Sequence, residues 1–242
     1  MTDLNSHNLK TIAYTKIVDL TQTIHPNIPI WPDDPPVEFE TVSQIETSGY
    51  YLRKFSMGEH SGTHINAPNS FDTAGTGIDT YAPQSLVSGA IVIDIRDRAF
   101  ANPDYTLTID DVLNWEQQHE RIASGNLVLL YTGWQEKWSD AKAFFNRDDR
   151  GICHFPGFGE AAARFLLEER SIAGIGTDTH GVDAGKDVSF AVNKLVLKQQ
   201  RIVLENLANL DRLPAAGITL VIGILRLVGG SGSPVSAIAF VA

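Results

Sequence analysis

The sequence predicts a single α/β domain with a mixed β-sheet and several helices. Three observations predict it: short apolar runs bounded by turn residues, helical patterns placed between those runs, and an ordinary globular composition. Hydrophobic residues make up 43% and charged residues 20% of 242 residues. That balance supports a packed core and argues against disorder. The length exceeds the common domain size, but α/β folds reach it as one unit, so one domain over 1–242 is expected.

The elements follow in order. Ile17-Val18-Asp19-Leu20 reads as a strand, and it runs into Pro26, Pro29, Pro32, Pro35 and Pro36, which forbid regular structure there. Ala90–Ile95, Leu127–Tyr131 and Ile172–Gly176 are β-rich runs of the kind that become buried strands. A helix is expected from Thr108, whose spacing to Asp111 resembles a capping box, and another over Gly159–Glu169, where Ala163, Phe165, Leu166 and Leu167 sit among charges. Two further strands are expected over Ile218–Leu227 and Ser236–Val241, joined by a Gly229-Gly230-Ser231-Gly232-Ser233 turn. That glycine run lacks the lysine and following helix of a phosphate loop.

Composition also excludes function classes. The formal net charge is −10, from 29 acidic against 19 basic residues, and no Lys/Arg cluster is present to neutralise phosphates. Nucleic-acid binding is not expected. The one cysteine, Cys153, cannot form an internal disulfide, which favours a reducing, cytoplasmic setting. Met1–Lys16 is polar, unlike a signal peptide, and no stretch approaches the roughly 20 apolar residues of a membrane span. Cys153 beside His154 is set aside as a nucleophile pair, because chain neighbours rarely face each other.

The chemistry concentrates in Glu59-His60-Ser61-Gly62-Thr63-His64-Ile65-Asn66-Ala67-Pro68-Asn69-Ser70-Phe71. Two histidines four apart converge on one metal if the backbone bends, and Gly62 permits the bend. If the segment is extended instead, His60, His64 and Asn66 share one face. The spacing alone is equally that of two hydrogen-bonded or surface histidines.

The segment resembles the H-x-G-T-H-x-D-x-P-x-H-F signature of the cyclase superfamily of metal hydrolases, a family that includes bacterial kynurenine formamidases and isatin hydrolases. The resemblance extends along the chain through Trp31-Pro32-Asp33-Asp34-Pro35-Pro36, Tyr131-Thr132-Gly133-Trp134, Phe155-Pro156-Gly157, Gly174–Thr179 and Glu205-Asn206-Leu207. It implies a swivelling β/β/α, barrel-like core with flanking helices, and a homo-oligomer, dimer or tetramer, with a small-molecule substrate. It also implies that His60, His64 and Glu205 are metal ligands. Three positions depart from the pattern: Asn66 stands for an aspartate ligand, Asn193 for a histidine ligand, and Ser70 for the acid/base histidine.

An amide oxygen is neutral, so Asn66 in place of a bridging carboxylate disfavours two adjacent dications. One zinc or manganese ion on His60, His64 and Glu205, with Asn66 as a further donor or in the second shell, is the expectation. His180, in Asp178-Thr179-His180-Gly181-Val182-Asp183, is the candidate for the displaced acid/base, the alternative being a histidine bonded to Asp178 or Asp183. Ser70 is expected to orient the attacking water. Trp31, Phe71 and Trp134 are candidates for an aromatic wall. The expected activity is hydrolysis of a small cyclic or aryl amide, formamide or lactone. Its rivals are an inactive metal- or ligand-binding member and a dehydratase or cyclase that uses the ion as a Lewis acid.

Overall fold

The computed structural model describes residues 11–242. Of the polar N-terminal stretch, residues 1–10 lie outside the described part. In chain order the strands are β1 (Lys16–Asp19), β2 (Glu38–Ser43), β3 (Leu52–Ser56), β4 (His64–Asn66), β5 (Val87–Asp94), β6 (Thr106–Leu107), β7 (Leu127–Tyr131), β8 (Gly157–Phe158), β9 (Gly174–Thr177), β10 (Ile202–Glu205), β11 (Ile218–Ile224) and β12 (Gly232–Val241). The α-helices are α1 (Ile45–Ser48), α2 (Arg96–Ala101), α3 (Ile109–Gln118), α4 (Ala141–Phe145), α5 (Glu160–Arg170) and α6 (Ala191–Leu197).

Eight strands form one mixed sheet in the order β1-β12-β11-β5-β7-β9-β10-β4, and an additional β12–β4 pairing closes it into a barrel. β5, β7, β9 and β10 run parallel, which requires both faces to be covered. The apolar runs supply this by alternation. Leu127, Leu129 and Tyr131 of β7 point inward with Ala90 and Val92 of β5. Val128 and Leu130 point outward with Ile91 and Ile93, into a second core with Val112 and Trp115 of α3, Leu166 of α5 and Val196 of α6. The capping box forms: the Asp111 N–H donates to Thr108 Oγ1, and the Thr108 N–H donates to Asp111 Oδ2 at 2.9 Å.

Among the boundaries that differ from the sequence expectation, two lie in the last pair of strands. β11 ends at Ile224 rather than Leu227, where the Leu225 N–H turns to Ser233 Oγ. β12 begins at Gly232, so the expected Gly229–Ser233 turn ends two residues early. The reason is tertiary. Gly232, Ser233 and Pro234 pair with Asn66, Ile65 and His64 of β4, and a partner strand overrides the low β-propensity of glycine and proline. β4 is thus the narrow seam of the barrel, held by β10 on one side and β12 on the other.

A satellite cluster under the proline-rich loop packs Ile28 and Val37 against Trp134, Trp138, Phe144, Phe145, Cys153 and Phe155. The β2–β3 hairpin stands off the barrel and exposes Val42, Leu52 and Phe55.

Candidate active site

The seam gathers the candidate site. Gly62 adopts φ +66°, a left-handed conformation open to glycine at little cost. The chain bends there and enters β4, whose register sets His64 directly opposite Glu205 on β10 and Asn66 opposite Gly232 on β12. The sequence left a bend or an extended segment open, and both occur in succession. His60 lies over Gly232, where an added Cβ would come within 2.7 Å of the imidazole Cε1. Only a residue without a side chain admits the ring at that distance.

The hydrogen bonds around this cluster fix its polarity. Asn193 Nδ2 donates to Asp183 Oδ2 at 3.0 Å and to Glu205 Oε1 at 3.1 Å. Carboxylates only accept, so the Asn193 oxygen faces the other way and accepts from Asn66 Nδ2 at 2.9 Å. Asn66 Oδ1 in turn faces His60 Nδ1 at 2.9 Å. On the other histidine, Nδ1 lies 2.9 Å from the Gly62 carbonyl and Nε2 lies 3.0 Å from Glu205 Oε2.

Burial would push the Glu205 carboxyl up. The bonds from His64, Asn193 and the Val182 N–H outweigh that and hold it at about 2. Asp183 is pushed up to about 6 by burial, despite its bonds from the N–H groups of Val192 and Asn193 and from the Asn193 amide. His60 is lowered by burial first and by neighbouring His64 second.

These polarities bear on whether an ion fits. The Gly62 carbonyl accepts from His64 Nδ1, so Nε2 donates to Glu205 in the imidazolium form, the form that lowers the carboxyl, and presents a lone pair to it in the neutral ring. Asn66 likewise presents an oxygen lone pair to His60 Nδ1. Between His64 Nε2 and Glu205 Oε2 a proton or a metal ion is required, whereas between His60 Nδ1 and Asn66 Oδ1 the neutral Nδ1–H tautomer suffices. Protons alone satisfy the cluster with one imidazolium, His64 paired with Glu205, beside a neutral Nδ1–H His60, whereas a metal ion takes the place of both protons. Among the described residues no three His, Cys, Asp or Glu side chains form a ready metal cluster, and this donor set depends on the Asn66 amide as its further oxygen. The chemistry fits a single ion held by His60, His64, Glu205 and Asn66. Asn193 is committed to its carboxylates and to Asn66, so the amide pair leaves no donors for a second.

The opposite wall is aromatic. A cavity of about 290 Å³ is lined by the donor cluster and by Trp31, Ser70, Phe71, Phe155, His180 and Phe190. His180 is buried, with ring centroids 5.1 Å from both Trp31 and Phe145, 6.2 Å from Phe144 and 6.3 Å from His64. Its Nε2 has no hydrogen-bond partner. Neither aspartate considered from sequence takes it: Asp178 accepts from Thr132 and Gln135, and Asp183 from Val192 and Asn193. Burial pulls the His180 imidazole down to about 4, with the charge of His64 next in weight. The ring is neutral at pH 7.

Trp31 and Phe71 stand in the cavity as expected. Trp134 does not: its Nε1 donates to the Phe144 carbonyl in the satellite cluster, where the apolar contacts of Trp138 and Phe144 hold it. Ser70 reaches the rim, where Oγ donates to the Ser231 carbonyl. Cys153 is buried and His154 turns to Asp104, so the thiol has no histidine beside it to act as base.

Comparison with known proteins agrees with this layout. Residues 18–184 match the family described as "Putative cyclase". The chain belongs to the cyclase family of hydrolases. This cyclase-family chain is 35% identical over 243 residues to an isatin hydrolase of Roseibium aggregatum, covering 93% of this chain and 92% of that one. It is 27% identical to a kynurenine formamidase of Bacillus cereus, over 91% and 95% of the two chains. The solved structure of isatin hydrolase A from Ralstonia solanacearum superposes with TM-score 0.89 at 37% identity, over 94% and 92%. A fold neighbour at TM-score 0.71 and 24% identity, over 94% and 98%, is described as a potential metal-dependent hydrolase with cyclase activity. That last likeness carries the fold alone.

Sequence reasoning missed the roles of four residues. Asp183 and Asn193 brace Glu205 together, and Asn193 read only as a lost ligand. Ser231 lies 3.0 Å from His60 Nε2, hidden inside a glycine run. Glu59 accepts from both the N–H and the hydroxyl of Ser231 at 2.7 Å. A polar residue held between two glycines was the available signal for Ser231.

Proposed function

We propose that this chain is a metal-dependent hydrolase of a small cyclic or aryl amide, formamide or lactone, with N-aryl amides as the favoured class. One observation carries the reading: two histidine nitrogens and the oxygens of Glu205 and Asn66 stand in pairs about 3 Å apart in one wall of the cavity, a donor set that suits one cation. Zinc or manganese suits a two-histidine, one-carboxylate set with an amide oxygen. An ion held there supplies Lewis acidity for carbonyl hydrolysis.

The chain's own residues do the rest. Asp183 and Asn193 hold Glu205 in place, and the Gly62 carbonyl orients His64. Trp31, Phe71 and Phe190 pack on one another and offer an aromatic surface to a flat ring, which matches isatin and kynurenine in the names of the relatives. His180, neutral and next to the donor cluster, is the group on which a proton rests at Nε2 on its way to the leaving nitrogen. Ser70 steadies the entry side through the Ser231 carbonyl. The exposed apolar hairpin β2–β3 supports a homo-oligomer, dimer or tetramer. No described helix is long and apolar enough to cross a membrane; the lone cysteine supports a cytoplasmic enzyme.

The test is anaerobic loading with zinc or manganese, metal analysis, and turnover of isatin and formanilide in ¹⁸O-labelled water. About one equivalent of metal and one labelled oxygen per product are expected. Less than about half an equivalent, or product without label, overturns the reading, the second result favouring a dehydratase or cyclase.

A further inference from the structure

Ser231 has one hydroxyl hydrogen and two acceptors competing for it. Its Oγ lies 2.7 Å from Glu59 Oε2 and 3.0 Å from His60 Nε2. The carboxylate takes the hydrogen, because a charge-assisted bond is roughly twice as strong as a neutral one, and the Ser231 N–H reinforces the same oxygen. The hydroxyl oxygen then shows only lone pairs to the imidazole. His60 must bring its own hydrogen on Nε2.

We infer that Glu59, acting through Ser231, is a positioning residue that keeps the His60 proton on Nε2 and so leaves Nδ1 open toward the Asn66 oxygen. The inference rests on the single-ion reading of the site but concerns residues outside the donor set. Its consequence is a choice between two states of the same side chains. With the Glu59 carboxylate as the serine's acceptor, His60 Nδ1 and Asn66 Oδ1 confront each other and call for a cation. With an amide donor in place of that carboxylate, the Ser231 hydrogen turns to His60 Nε2, the ring proton moves to Nδ1, and Nδ1 donates to Asn66 Oδ1. The cluster is then satisfied on its own and competes with the ion.

Gln replaces Glu59 most usefully, since its amide can donate to Ser231 Oγ and free the serine hydrogen for His60. Glu59 is half-buried, and a thermal melt confirms that Glu59→Gln stays folded. Two measurements on the full chain decide. ¹⁵N-histidine NMR of the ion-free protein reads which His60 nitrogen is protonated, and chelator competition reads the Kd for Co²⁺. Wild type is expected as the Nε2–H form, and Glu59→Gln as the Nδ1–H form with a Kd for Co²⁺ raised about 10- to 100-fold, the range for losing a second-shell partner. Ser231→Ala weakens Co²⁺ binding, and Glu59→Gln with Ser231→Ala weakens it no further. An Nδ1–H wild type, or an unchanged tautomer in Glu59→Gln, overturns the inference. If wild type binds no Co²⁺ the single-ion reading falls, and the tautomer shift alone upholds or overturns the link from Glu59 to His60.

Discussion

The two sides of the cavity are built on opposite principles. On the seam side, His60, His64, Asn66 and Glu205 stand against one another and are tied by hydrogen bonds to a backbone carbonyl and to a second layer of Asp183, Asn193, Ser231 and Glu59. On the aromatic side, His180 is surrounded by Trp31, Phe144 and Phe145, and its Nε2 bonds to nothing. The first side fixes geometry before any ligand arrives, as precise ion binding requires. The second leaves one polar atom unsatisfied in an apolar wall, which favours a ligand that brings both a flat ring and a hydrogen-bonding edge. On the proposed function, the seam sets the chemistry and the wall sets the substrate choice.

Substitutions that break the seam are expected to have the largest effects. His64→Ala removes a donor and should abolish stoichiometric metal binding and lower kcat/KM about a thousand-fold, the equivalent of several kcal/mol of lost transition-state stabilisation; metal analysis beside a steady-state assay checks it. Asn193→Leu leaves Asp183, Glu205 and Asn66 short of partners in a buried site, and a loss of about 4 kcal/mol in urea unfolding is expected.

At the wall the expected effects are smaller and of another kind. The folded chain holds His180 down at about 4, so it refuses a proton that the unfolded chain accepts below about 6.5. The stability this gives is present above pH 6.5 and lost as pH falls toward 4. Wild type should lose on the order of 3 kcal/mol more than His180→Leu between pH 7 and pH 4, read from unfolding curves at each pH. Equal slopes would mean that the ring is not held neutral by its cage. Trp31→Ala should raise KM for isatin about tenfold with kcat nearly unchanged, the mark of lost uniform binding. Ser70→Ala comes last, with a two- to threefold change in turnover at most, about what loss of one neutral hydrogen bond at the rim costs.

The same contrast explains what the sequence made legible. The parallel strands are readable because strands covered on both faces need unbroken apolar runs, and Leu127–Tyr131 is such a run. α3 is readable because its cap is local, with Thr108 and Asp111 three residues apart. β4 is not, because three residues carry no period. β2 and β3 are not either, since their polar, exposed residues lack the alternation of a half-buried sheet. His60, His64 and Glu205 stand out by residue type and order. Their bracing partners do not: Asn193 and Asp183 matter through an amide oriented by carboxylates, and Ser231 reaches His60 across 171 positions of sequence. Trp134 misled because an aromatic residue beside a family motif can equally be core, and its indole N–H had a carbonyl in the satellite cluster to satisfy.

β4 has one more consequence. Three residues, His64, Ile65 and Asn66, both close the barrel between β10 and β12 and carry two of the donors. Fraying of that short strand would open the wall of the barrel and scatter the donor set in one motion, so a bound ion acts as a clasp on the fold as well as a reagent. Amide exchange at Ile65 should slow when metal is added, while exchange in β11, two strands away around the barrel, stays where it was.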